Sequence, residues 1–247
     1  MKPSTLKALL LMYPATSKQT VWLDYETLQA LLPEVSYPGL RSLISGFKKK
    51  KFLLVEQVKQ KASFTLSQQG ISFLEAQYRP LFYRRRPWQG EVSFILFLRA
   101  PKVDRQFRYF RILLLSQGAL CLQRGVYIFP GMVPELVMSE CREKYQGAVM
   151  VLESGQIQVG DLRALLLRQF SVTDVIAAYS GISKQLKQVL SSGQPLSRLT
   201  HQRKEEFFSL YNRYFEILQE DQGLIHYYFP QEINAPKLLL EFQNALF

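Results

Sequence analysis

Three features of the 247-residue sequence predict an α+β chain of several domains. Apolar residues recur at helical spacing in the first and last thirds, whereas short β-prone runs broken by Gly, Lys and Pro lie between residues 52 and 152. Hydrophobic residues make up 47% and charged residues 21%, a globular composition with length enough for more than one core. The basic charge is concentrated in the first third.

Lys and Arg number 31 against 20 Asp and Glu, a formal net charge of +11. Residues 1–88 hold 14 basic and 5 acidic side chains, a net of +9. Residues 89–170 hold 10 and 7, a net of +3, and residues 171–247 hold 7 and 8, a net of −1. A basic third on a near-neutral remainder points to a polyanion-binding module joined to something else. The plainer alternative is a solvated lysine-rich face. Uninterrupted apolar runs, such as Phe94 to Leu98 and Ile112 to Leu115, are only a handful of residues and fall far short of the ~20 residues of a membrane-spanning helix. The N-terminal apolar run lacks the small-residue cleavage pattern of a signal peptide. Cys121 and Cys141, with His201 and His226, are too few for a disulfide framework or a structural zinc site. The expectation is a soluble, cytoplasmic, nucleoid-associated protein with no membrane partner, metal or cofactor.

The elements follow in order. Thr5 to Tyr13 reads as a short apolar helix stopped by Pro14. Asp24 caps a second helix, with Leu28, Leu31 and Leu32 as its buried stripe and Pro33 as its end. Ser36 caps a third, with Pro38 in the first turn, where a missing N–H costs nothing. Leu40, Leu43, Ile44 and Phe47 give it an apolar face, and Tyr37, Arg41, Ser45, Lys48 and Lys49 a polar, cationic one. Phe52 to Val58 and Ser63 to Ser67 read as two strands joined by a turn over Lys59 to Ala62, and a helix restarts at Gln69. Three helices, a basic-tipped hairpin and a further helix are the order of a winged helix-turn-helix.

Such a module reads DNA with its third helix in the major groove, and Arg41 suits a bidentate contact to guanine. Tyr37, Ser45 and Lys48 would share that groove, Lys49 would belong to the same DNA-binding face, and Lys59 and Lys61 at the hairpin tip would meet phosphates. For Lys48 to Lys51 the simpler reading is solubility and complement to the helix dipole.

In the middle, Glu91 to Leu98 is a strand, Arg105 to Leu115 a helix, Ala119 to Gln123 and Val126 to Phe129 a hairpin, Pro134 to Tyr145 a helix, and Gly147 to Leu152 a strand. The order βαββαβ suggests a ferredoxin-like sheet. The predicted division is a DNA-binding domain over 1–80, a basic linker over 81–89, the ferredoxin-like domain over 90–160 and a helical domain over 161–247. Helices there run from Asp174 to Leu190, Leu199 to Leu218 and Pro236 to Phe247, with Ser191 to Pro195 as the clearest loop. The second of them is rich in aromatics, among them Phe207, Tyr211, Tyr214 and Phe215, for which core packing and a dimer surface or aryl-ligand pocket are the alternatives.

Several motifs carry a resemblance. Trp88 and Gly90, then Gly118, Leu120, Gly125, Val126 and Pro130, are similar to the Trp-x-Gly and hairpin runs of the phenylacetate-degradation transcriptional repressor (PaaX) family. Phe170 to Tyr179 and the stretch Leu210 to Pro230 resemble that family's later elements. Val92, Ala119, Tyr127 and Phe170-Ser171 stand where the family has Trp, Gly, Trp and Trp-Asp. The resemblance implies a homodimeric repressor on a palindromic operator, released by an aryl-acyl-CoA-like effector. The middle domain is also similar to the small CRISPR-adaptation endonuclease, which implies metal-dependent nuclease activity as the alternative. There the strand would end on an Asp; here Arg99 follows the strand and Asp104 is the nearest acid. A third alternative is an effector-independent architectural DNA-binding protein. No nucleophile triad, phosphate loop or dinucleotide fingerprint is present in the sequence, and no catalytic residue is assigned.

Overall fold

The computed structural model describes residues 3–16, 19–58, 61–82, 88, 90–99, 105–190 and 196–246. Lys59, Arg84 to Arg86, Asp104 and the loop Ser191 to Pro195 lie outside the described residues. Among the described residues the chain is α+β with two antiparallel sheets, and it divides into two compact units. Met1–Arg85 and Val172–Phe247 form one, and Arg86–Ser171 the other. The first and last thirds, which sequence reading separates into two domains, thus share a unit.

The first unit begins with α1 (Pro3–Leu11), where Ala8 to Leu11 are fully buried together with Met12 and Tyr13 beyond its end. A helix apolar on nearly every side must be enclosed by others. β1 (Leu23–Asp24) leads into α2 (Tyr25–Leu31), whose N-cap Asp24 accepts from the Thr27 amide at 2.8 Å. α3 (Tyr37–Lys49) starts at Ser36, which accepts from the Gly39 amide at 3.3 Å, and buries Leu40, Ile44 and Phe47. β2 (Leu53–Val58) and β3 (Lys61–Leu66) pair from Leu53↔Leu66 to Val58↔Lys61, and β1 joins the far edge of β3 through Leu23↔Phe64. The sheet order is β1-β3-β2. Ser67 then caps α4 (Gln68–Gln77), and α5 (Arg79–Phe82) follows.

The second unit is built on β4 (Glu91–Phe97), α6 (Arg105–Ser116), β5 (Leu120–Gln123), β6 (Val126–Pro130), α7 (Glu135–Lys144), β7 (Val149–Gln156) and α8 (Leu162–Gln169). Its sheet order is β5-β6-β4-β7, so β6 lies between the two strands that α6 connects. The core holds Ile95, Tyr127 and Phe129 of the sheet against Phe107, Phe110 and Leu114 of α6 and Val137 and Cys141 of α7. Sequence reading ends the last strand at Leu152. It runs on to Gln156 because Val92 and Glu91 offer partners to Gly155 and Gln156.

The chain then returns to the first unit with α9 (Val172–Val189), α10 (His201–Glu220), α11 (Leu224–Tyr228) and α12 (Ala235–Asn244). The aromatic stripe of α10 is core. Phe207, Tyr211 and Tyr214 pack on Phe242 of α12 at 5.3, 5.3 and 5.6 Å between ring centroids, and all four are buried. The polar ends of these rings find partners, as buried phenols must. Tyr211 donates to the Lys7 carbonyl at 3.0 Å and Tyr214 to the Ala235 carbonyl at 3.1 Å. Gln243, fully buried on α12, donates through Nε2 to the carbonyls of Leu11 (3.0 Å) and Tyr13 (2.7 Å). These carbonyls end α1 without helical partners, so the last helix closes the first.

Candidate nucleic-acid interface

α3 offers the basic face that its sequence spacing predicts. Tyr37, Arg41, Ser45, Lys48 and Lys49 are all exposed, and Leu40, Ile44 and Phe47 are all buried. At ~100° per residue, Tyr37, Arg41, Ser45 and Lys48 fall within about 80° of one another, with Lys49 on the flank. From Tyr37 to Lys48 this face extends ~16 Å along the helix, by 1.5 Å per residue.

Two further residues support that face. Tyr25 lies 5.9 Å from the Tyr37 ring and stands edge-on to Phe64 at 4.8 Å, which props Tyr37 against β3 while leaving it 51% exposed. The second is Lys51, just beyond α3. The Lys51 amide donates to the Lys48 carbonyl at 2.9 Å and the Phe52 amide to the Phe47 carbonyl at 3.0 Å. This paired closure is the Schellman C-cap, whose left-handed position usually belongs to glycine. Here Lys51 holds it, at φ 57°, the sole non-glycine residue at positive φ among those described. The Ser67 hydroxyl donates to the Lys51 carbonyl at 2.6 Å, and the Ser67 amide to the Phe52 carbonyl at 2.9 Å.

The hairpin differs from the sequence reading. Lys61 is not in a four-residue turn; it pairs with Val58 as the first residue of β3. Its ammonium donates to Glu26 Oε2 of α2 at 2.8 Å. That bond, with the charge of Glu26, raises the Lys61 pKa above its ordinary value. At Asp24, partial burial works against ionisation, but hydrogen bonds from Thr27 and the charge of Lys61 outweigh it and lower the carboxyl pKa. The cross-element pair is not legible in the sequence because Glu26 and Lys61 are 35 residues apart. Lys59 lies outside the described residues.

Elsewhere the chemistry-bearing residues stay apart. Among the described residues no group of three or more His, Cys, Asp and Glu is placed to hold a metal ion. Cys141 is buried, and that burial, with the charge of Glu140, pushes its thiol up to about 11, away from thiolate chemistry. Cys121 is exposed on β5, His201 meets Glu205 at 3.5 Å on the exposed start of α10, and His226 lies on α11. Among the described residues no helix is long and apolar enough to cross a membrane.

No model of a known protein family matches the chain, and no curated protein matches it. The resemblance to the phenylacetate-degradation repressors therefore rests on its short motifs alone. Among solved structures, the chain is similar to an uncharacterized protein, Rv0674, from Mycobacterium tuberculosis, at 13% identity and a TM-score of 0.48, over 98% of this chain and 90% of that one.

Proposed function

We propose that this chain is a sequence-specific, double-stranded-DNA-binding transcriptional repressor that reads its operator with α3. The observation that carries the reading is the α3 face: an Arg, a hydroxyl, an aromatic and two lysines, all exposed, on a helix closed at both ends and packed on a sheet. The order β1-β3-β2 behind it supports the winged helix-turn-helix form. The order β5-β6-β4-β7 likewise supports the ferredoxin-like form of the second unit. Arg41 reads a guanine edge, Tyr37, Ser45 and Lys48 line the groove, and Lys49 on the flank reaches a neighbouring phosphate. Repressors of this type act as homodimers on palindromes, with half-sites one helical turn apart or a multiple of it. Homodimerisation and release by an aryl-acyl-CoA-like effector belong to this proposal as the family resemblance implies them.

Selection of bound duplexes from a random pool, followed by gel shifts, tests the reading. A palindromic consensus is the expected result; scattered, unrelated sites would favour an architectural protein, and magnesium-dependent cleavage of the duplex a nuclease. On the selected site Arg41→Ala should cost ~1–3 kcal/mol while leaving binding to unrelated duplex nearly unchanged. Equal loss on both would remove Arg41 from the groove.

The Lys61–Glu26 pair makes a second expectation. Both side chains are well exposed, and an exposed ion pair is worth little, so a phosphate can compete with Glu26 for Lys61. Glu26→Gln should therefore strengthen binding to unrelated duplex and steepen its dependence on log salt by about 0.9. An unaltered slope, read by fluorescence anisotropy, would place Lys61 away from the DNA.

A further inference from the structure

We propose that Lys51 is a backbone-anchored phosphate clamp, held where it is at a cost in stability because the DNA contact requires a cation there. The inference rests on the DNA-binding reading and adds to it a residue that spacing along α3 does not select. Three observations converge on it.

The first is conformational. Lys51 occupies the left-handed C′ position of the α3 cap, at φ 57°. An L-residue with a Cβ is strained there and glycine is not, so glycine is the residue that stability alone would favour. A side chain kept at such a position is a pointer toward function.

The second is anchoring. The amide of Lys51 is tied to Lys48 and its carbonyl to the Ser67 hydroxyl, and both polar groups of the next residue, Phe52, are bonded as well, to Phe47 and Ser67. Phe52 is itself buried, with its ring stacked on Phe73 at 4.7 Å. The Cα of Lys51 is therefore fixed by α3, β2 and α4 together, and only the exposed side chain is free to move. A cation on such a base loses less freedom on binding than one on a loose loop.

The third is charge. Lys48, Lys49, Lys50 and Lys51 are all exposed at the C-terminal end of α3. The dipole there amounts to about half a negative charge, which one cation offsets. The remaining lysines present positive charge to an outside anion at the end of the helix that lies in the groove. A duplex places phosphates on both walls of that groove, at regular spacing.

The experiment measures two quantities whose expected changes have opposite sign. Lys51→Gly relieves the left-handed strain, so the thermal midpoint should rise by about 2–4 °C. The same variant should lose about 0.9 from the slope of log affinity against log salt on a mixed-sequence duplex of about 30 base pairs. That is a fivefold to tenfold loss near 0.1 M salt. Lys51→Arg should restore the slope, and Lys184→Ala, an exposed lysine on α9, should leave it unaltered. If the wild-type chain binds this duplex with a salt-dependent slope and Lys51→Gly keeps that slope, the clamp is wrong and the DNA reading stands. If the wild-type chain shows no salt-dependent binding at all, the DNA reading falls and the clamp with it.

Discussion

Replacing Gly70 by alanine should destabilise the chain by about 2 kcal/mol, and lower its thermal midpoint by about 4–8 °C, although alanine is the better helix former. A Cβ at Gly70 would lie 2.3 Å from the Phe52 carbonyl oxygen and 2.9 Å from Leu66 Cδ2. The leucine methyl can move, but the carbonyl cannot move alone. Phe52 O accepts from the Ser67 amide at 2.9 Å, and the neighbouring Lys51 carbonyl accepts from the Ser67 hydroxyl at 2.6 Å. Relief of the clash therefore means lifting α4 from the start of β2, which opens the junction that closes α3. The gain in helix propensity, about 1 kcal/mol, is smaller than the cost of overpacking against a fixed backbone atom. On the proposed DNA-binding reading, affinity for duplex should fall alongside stability, because Lys48 to Lys51 leave from the same junction. A thermal melt followed by circular dichroism reads the first effect, and a midpoint within a degree of wild type would refute the packing argument.

The second large effect is a pH dependence centred on Asp221. This carboxyl ends α10, where Oδ2 accepts from the Tyr179 hydroxyl at 2.9 Å and Oδ1 from the Gly223 amide at 2.8 Å. Burial raises its pKa to about 6 from an ordinary 3.8, against the lowering effect of both hydrogen bonds. The folded chain thus binds a proton more tightly than the unfolded chain. The stability linked to Asp221 is fully present below about pH 4 and is lost as pH rises through about 6. The loss is ~2–3 kcal/mol, because each tenfold gain in proton affinity on folding is worth about 1.36 kcal/mol. Asp221→Asn carries no charge to desolvate, and its amide fits both partners: Oδ1 for the Gly223 amide and Nδ2 toward the Tyr179 oxygen. Unfolding in urea at a series of pH values should show variant and wild type close near pH 4, with the variant increasingly the more stable toward pH 7. A constant difference across that range would mean that Asp221 stays ionised throughout. Asp221→Ala, in contrast, should be less stable than wild type even at low pH, because it leaves a buried hydroxyl and amide without acceptors.

How far these features can be read in advance differs from element to element. The caps at Asp24, Ser36 and Ser67 are local devices, in which a side chain bonds a backbone amide three residues on, and the first two are plain in the sequence. Ser67 reads in sequence only as the end of a strand, because it directly follows Leu66, the last residue of β3, and at once caps α4. The two-residue β1 reads in sequence as the opening of a helix, because its strand character comes from Phe64 and Ser63, some forty residues away. α8 and α11, of eight and five residues, carry too few turns for a clear period. The exposed face of α3 is legible residue by residue, since helical spacing alone separates Arg41 from Leu40. The engagement of Lys61 by Glu26 is not, and neither is the left-handed turn at Lys51, where the usual glycine signal is missing.

The sequence by itself determined the local alternation of helix and strand, the apolar stripe and cationic face of α3, and the concentration of charge in residues 1–88. Each of these depends on side chains within a few turns of one another, so periodicity records them. Only the tertiary structure decided that the first and last thirds form one unit. Gln243 and Tyr211 bond carbonyls more than 200 residues away, and Phe242 fills the aromatic face of α10. Only it decided, too, which cations remain available and which are engaged. A buried polar group must find its partner wherever the fold brings one, and no local pattern marks where that will be.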